Sequence, residues 1–76
     1  MNCNGNDTCK QIEWTVVCVN EFAKNFELTP RNAFHYLNAF GGIKFLMEHY
    51  VAEHMLSFDD AVDDLIFVCR QNGGGL

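Results

Sequence analysis

Leu28-Thr29-Pro30-Arg31-Asn32-Ala33-Phe34-His35-Tyr36-Leu37-Asn38-Ala39-Phe40-Gly41-Gly42 is punctuated more sharply than any other stretch of the chain, and its reading decides the fold. Thr29 can cap a helix, Pro30 suits the first helical position because it has no N–H to leave unpaired, and Leu28 can staple onto Ala33. Ala33, Phe34, Leu37 and Phe40 form the inner stripe of the helix so begun. Gly41-Gly42 ends it after about three turns by supplying a residue free to take the left-handed conformation.

The same pitch continues on both sides. Upstream, Thr8 followed by Gln11 reads as a capping box, and Ile12, Val16, Val19, Ala23 and Phe26 recur at helical spacing, which predicts a long first helix from about Cys9 to Asn25. Downstream, Ile43, Leu46, Met47, Tyr50 and Val51 follow the i, i+3, i+4, i+7, i+8 pattern, which predicts a third helix ending near Glu53 with Lys44, Glu48 and His49 outside. Ser57 with Asp60 resembles a second capping box, and Asp59 and Asp60 complement the positive helix end. Phe58, Val62, Leu65 and Cys69 then share one face until Asn72-Gly73 stops the fourth helix. The expected class is all-α, a compact bundle of four helices in which short ones pack around the long N-terminal helix. Residues 1–6 read as a disordered leader, 7–72 as one domain and 73–76 as a flexible Gly-rich tail.

At 76 residues the chain holds one core. A domain of this size hides only about 60% of the surface of its unfolded chain, so further contact surface would add stability. Hydrophobic residues make up 49% and include seven phenylalanines, far from the composition of a disordered segment. No apolar run approaches the ~20 residues of a bilayer span, and the polar opening residues do not resemble a signal peptide, so no membrane association and a cytoplasmic location are expected. Ten acidic against five basic side chains give a formal charge of −5. Glu48, Glu53, Asp59, Asp60, Asp63 and Asp64 lie between Lys44 and Arg70 with no Lys or Arg among them. Nucleic acid is disfavoured, because phosphate binding needs a cationic surface. The acidic run is either a solvated face or a docking surface for a basic partner.

Four cysteines without CxxC spacing make neither a disulfide scaffold nor a zinc finger. Cys18 and Cys69 fall in apolar helical stretches as small hydrophobes, and Cys3 and Cys9 lie at the polar start. No catalytic residue is identified: Ser57, Cys18 and Cys69 are explained by capping and packing, and no GxSxG, phosphate loop or HExxH is present, so no enzyme activity is expected. No cofactor is implied. His49, His54 and Glu53 are the weak candidates for a metal, but the histidines lie five apart and share a face only if the helix breaks between them. His54 could instead donate to a backbone carbonyl in the turn. The second and third helices have the outline of a helix-turn-helix, yet Lys44 is the single fixed cation on the would-be reading helix.

On the first helix Trp14, Val17, Cys18 and Phe22 are apolar but lie off the stripe. Either the other helices cover them, or part of this face contacts another protein or a second copy of the chain in a homodimer. Trp14, Cys18 and Phe22, together with Asp59, Asp60 and Asp63, are therefore the candidate protein-binding residues.

The stretch from about Trp14 to Gly73 resembles a family of small bacterial proteins known as domain of unknown function 3791. The likeness rests on Asn20-Glu21-Phe22-Ala23, Ala33-Phe34 with Tyr36-Leu37, Gly41-Gly42-Ile43 with Phe45-Leu46, Glu48-His49-Tyr50, His54 with Leu56-Ser57, and Asp60, Val62 and Asp64. The resemblance implies a small helical protein, often encoded beside ADP-ribosyltransferase-like proteins, in a partner or antitoxin-like role. The expected function is a non-catalytic interaction or regulatory module. The alternatives are a metal- or small-ligand-binding module and an atypical DNA-binding regulator.

Overall fold

The computed structural model describes residues 7–76. They form α1 (Asp7–Asn25), α2 (Pro30–Ala39), α3 (Gly42–Glu48), α4 (Tyr50–Glu53) and α5 (Phe58–Gln71), with no strand among the described residues. The class is all-α, and α1 is the scaffold, packing against α2, α3 and α5. No helix among the described residues is long and apolar enough to cross a membrane. The expected leader, residues 1–6, lies outside the described residues.

Local signals set most helix ends. The Thr29 hydroxyl accepts from the Asn32 N–H at 3.1 Å and that of Ser57 from the Asp60 N–H at 3.2 Å, so both caps form. Gly41 takes φ +79° between α2 and α3. At the end of α5, Gly73 has φ +97°, and the amides of Gly73 and Gly74 return to Arg70 O and Cys69 O at 3.1 and 2.8 Å. This paired pattern satisfies carbonyls that the helix leaves open. The same pattern ends α1, with Leu28 N–H donating to Ala23 O at 2.8 Å, but there the left-handed position is occupied by Glu27 at φ +55°.

The core joins Phe22 and Cys18 of α1, Leu37 of α2, Leu46 of α3, and Leu65 and Cys69 of α5, all fully enclosed. The Phe22 ring lies 4.8 Å from that of Phe26 and 5.8 Å from Tyr36, which in turn lies 4.8 Å from Phe40. This aromatic row clamps α1 to α2. Gly42 lets α2, α3 and α5 meet: a Cβ there would lie 2.7 Å from Leu37 Cδ2 and 3.2 Å from Cys69 Sγ. Asn72 ties the ends of α5 and α2 by donating from Nδ2 to Phe40 O at 2.9 Å.

The structure corrects the sequence reading in four places. The first helix starts at Asp7, so Thr8 lies inside it, and the Gln11 amide donates to Met47 O at 2.6 Å rather than closing a capping box. The third helix divides at His49 (φ −110°, ψ 20°), giving five helices among the described residues. The break rotates the following turn, so Val51 is 79% exposed while Glu53 is only 8% exposed. Residues 73–76 are held: the Leu76 N–H donates to the Tyr36 hydroxyl at 3.1 Å, Arg70 Nε donates to Leu76 O at 2.8 Å, and Leu76 packs on the core. Finally, the inward arc of α1 is not the expected stripe. Thr15, Cys18 and Phe22 are buried with Val19 and Ala23, whereas Ile12 and Val16 face solvent.

Thr29→Ala and Ser57→Ala should each lower unfolding stability by about 1 kcal/mol in a denaturant titration, through loss of the cap. Glu27→Gly should raise it by about 0.5–1 kcal/mol, because glycine takes positive φ without the Cβ clash that glutamate bears.

Candidate functional site

The rotation of α1 leaves apolar surface where it meets α2. Thr15, Val16, Val19 and Asn20 of α1 and Pro30, Arg31 and Phe34 of α2 line a shallow groove of about 350 Å³. Val16 is 52% and Phe34 45% exposed over it. The Thr15 hydroxyl donates to Gln11 O at 2.8 Å, which satisfies its polar end inside α1. The same oxygen lies 3.7 Å from Sδ of Met47 on α3, itself partly exposed. Ile12, one turn before Val16, extends the exposed row along α1.

The expected contact residues fall in different places. Cys18 and Phe22 are fully enclosed and reach no partner surface, a correction whose cause is the Phe22 ring: α1 turns it into the aromatic row, which carries Cys18 one turn earlier inward and leaves Val16 outside. Trp14 is partly covered, its ring edge-on to Tyr50 at 5.4 Å. Asp59 and Asp63 are exposed and border a shallow polar depression of about 330 Å³ with Glu21 and Lys24. Asp60 is exposed in the first turn of α5.

The three candidate metal ligands do not converge. The His49 ring lies 4.9 Å from Phe45. The His54 ring stacks on Tyr50 at 4.5 Å, and its Nδ1–H donates to Tyr50 O at 2.7 Å, the backbone role open to it in the sequence. Glu53 points inward. Among the described residues no group of three or more His, Cys, Asp or Glu side chains is placed to hold a metal ion.

Around Glu53 lies the most unusual electrostatics in the protein. Its Oε1 is shut from solvent and has no hydrogen-bond partner. Burial first, and then the neighbouring Asp64 carboxyl, push its carboxyl up to about 7. The Cys18 thiol is pushed up to about 12 by burial and by the nearby Glu53 and Glu21 carboxylates. Burial also raises the Cys69 thiol, against a hydrogen bond from the Gly42 backbone that lowers it. Both thiols therefore stay protonated at neutral pH and lack the thiolate that nucleophilic chemistry needs.

Sequence periodicity missed Val16, Phe34 and Glu53. The signal that separates the two apolar arcs of α1 is the large ring of Phe22: it is fully buried, the exposed positions Ile12 and Val16 are aliphatic, and rings gain most from burial. Phe22→Ala should cost about 3–5 kcal/mol in unfolding stability, whereas Val16→Asp should change it by less than about 0.5 kcal/mol. Chemical denaturation of both variants checks the assignment of core and surface.

No curated protein and no solved structure matches the chain. A family model described as protein of unknown function (DUF3791) matches residues 13–72, from the first helix to the cap of the last, and the chain belongs to that family.

Proposed function

We propose that the protein is a non-catalytic interaction module that seats an amphipathic helix of a different protein in the groove between α1 and α2. The observation that carries this reading is the pair Val16 and Phe34, two large apolar side chains held about half exposed over a groove whose lining is otherwise largely apolar. Such a groove suits side chains presented at i, i+3 and i+4 on one helix face. The formal charge of −5 opposes a second copy of this chain and attracts a partner with basic flanks, to which Asp59, Asp60 and Asp63 add steering.

The non-catalytic part of the reading is supported by the side chains that chemistry would need. The Ser57 hydroxyl is committed to its cap, and Cys18 and Cys69 are buried. The unpaired thiols of Cys9, Cys18 and Cys69 suit a reducing compartment, which favours the cytoplasm as the place of action. The partner role that the family resemblance implies is of the same kind.

A helical peptide with a leucine face and lysine flanks is the probe, titrated into the labelled protein while backbone amide shifts are followed by NMR. Shifts should map to the α1–α2 groove, and Val16→Asp or Phe34→Asp should weaken binding about tenfold or more. A glutamate-flanked version should bind less well. Shifts that map elsewhere, or tight binding by both variants, would overturn the proposal. So would a native dimer in light scattering that Val16→Asp converts to a folded monomer, since the groove would then belong to a second copy.

A further inference from the structure

α5 packs on α1 and α3 and buries Ala61, Val62, Leu65 and Cys69. Its opposite face carries Asp63, Ile66, Phe67, Arg70 and Gln71, at the i, i+3, i+4, i+7, i+8 spacing of one helix side, and these residues line a shallow depression of about 400 Å³. Phe67, in the middle of the row, is 63% exposed, and Asp63 and Arg70 at its two ends are exposed as well. Ile66 beside it is half-buried and rests on the core. Arg70 spends Nε on Leu76 O at 2.8 Å, which holds its guanidinium at the end of the row and leaves the Nη groups to donate elsewhere. Neither Asp63 nor Arg70 has an ion-pair partner among the described residues.

Charge and apolar surface have a symmetry of their own on this face. Asp63 and Arg70 are equidistant from the midpoint between Ile66 and Phe67. A second copy laid antiparallel on the same face, about a two-fold axis through that midpoint, sets each Asp63 opposite the partner's Arg70 and each Phe67 opposite the partner's Ile66. Asp59 and Asp60 fall opposite the partner's Gly74 and Gly73, past the end of its helix and away from its carboxylates. A different protein would need no such self-complementary spacing, whereas a second copy does, because across a two-fold axis residue i meets j and j meets i. The formal charge of −5 that counts against pairing through the groove is countered here at the contact itself, where each copy brings one carboxylate and one guanidinium.

We propose that this face of α5 is a self-association surface: two copies pair antiparallel through Ile66 and Phe67 and are held in register by two Asp63–Arg70 ion pairs. It shares no lining residue with the α1–α2 groove, so the two surfaces are tested separately. A contact made by one pair of helices belongs to the small interfaces, and the dimer it forms is weak and reversible.

Sedimentation equilibrium of the full chain, up to about 1 mM, measures the pairing. The native chain should show a monomer–dimer equilibrium, and Phe67→Asp should be monomeric throughout with its helical circular dichroism intact. Asp63→Arg should weaken the dimer about tenfold, although it takes the formal charge from −5 to −3 and so relieves the overall repulsion. Arg70→Asp should weaken it as well, and the two charge changes together should restore it to within about threefold of the native value. Because Arg70 also holds Leu76 O, that restoration ties the loss to the ion pairs and not to the tail. Val16→Asp should pair like the native chain. A native chain still monomeric at the highest concentration overturns the proposal, as does a dimer that Phe67→Asp or Asp63→Arg leaves intact, or a double variant no tighter than the single ones. A dimer lost in Val16→Asp places the contact in the groove and overturns this proposal together with the groove reading. A dimer kept in Val16→Asp and lost in Phe67→Asp supports this one whatever the peptide titration gives. Should Phe67→Asp fail to fold, the single and double charge changes decide the matter equally.

Discussion

Everything in this small bundle depends on how much of α1 its neighbours can cover. The helix is apolar over most of its circumference, but α2, α3 and α5 together enclose one arc of it. The arc that wins is the one that buries Phe22 at the centre of the aromatic row with Tyr36, Phe26 and Phe40. Ile12 and Val16 are left outside by subtraction. The helices packed on α1 among the described residues leave these two side chains uncovered.

This shortage separates what the sequence reveals from what it hides. Thr29, Pro30, Ser57, Gly41 and Gly73 act on groups within a few residues of themselves, and each sits where its chemistry requires. The all-α class follows from apolar spacing alone. The choice between the two arcs of α1 is made at a distance, by rings on other helices, so periodicity assigns Val16 to the inside, where it is not, and leaves open whether Phe22 is covered. The break at His49 is hidden for the same reason. Ile43 to Val51 is regular as a pattern, and the pattern continues through residues whose backbone does not. A tail of three glycines likewise suggests freedom until Tyr36 is seen to accept the Leu76 amide.

Glu53 shows how one such break changes the chemistry of a site. On an unbroken helix it would sit one turn beyond His49, on the outer side; after the break it is turned inward and only 8% exposed, near Asp64 and the Cys18 thiol. Its neighbourhood therefore arises from backbone geometry, and no residue pattern around position 53 announces it. The helix ends and the core of this fold are readable from local rules, while the groove and the enclosed Glu53 carboxyl are products of assembly.

Gly42 has a consequence for recognition. Because it carries no side chain, the backbone of α3 rests directly on Leu37 and Cys69, and α2, α3 and α5 are wedged together one helical turn from Phe34. A wedge of this kind leaves the floor beneath Phe34 little room to remodel, so a visiting chain meets a finished shape. Little ordering entropy is then lost on the receiving side at contact, and discrimination among visitors becomes a question of fit: a bulge or a missing methyl on the incoming face is penalised rather than accommodated.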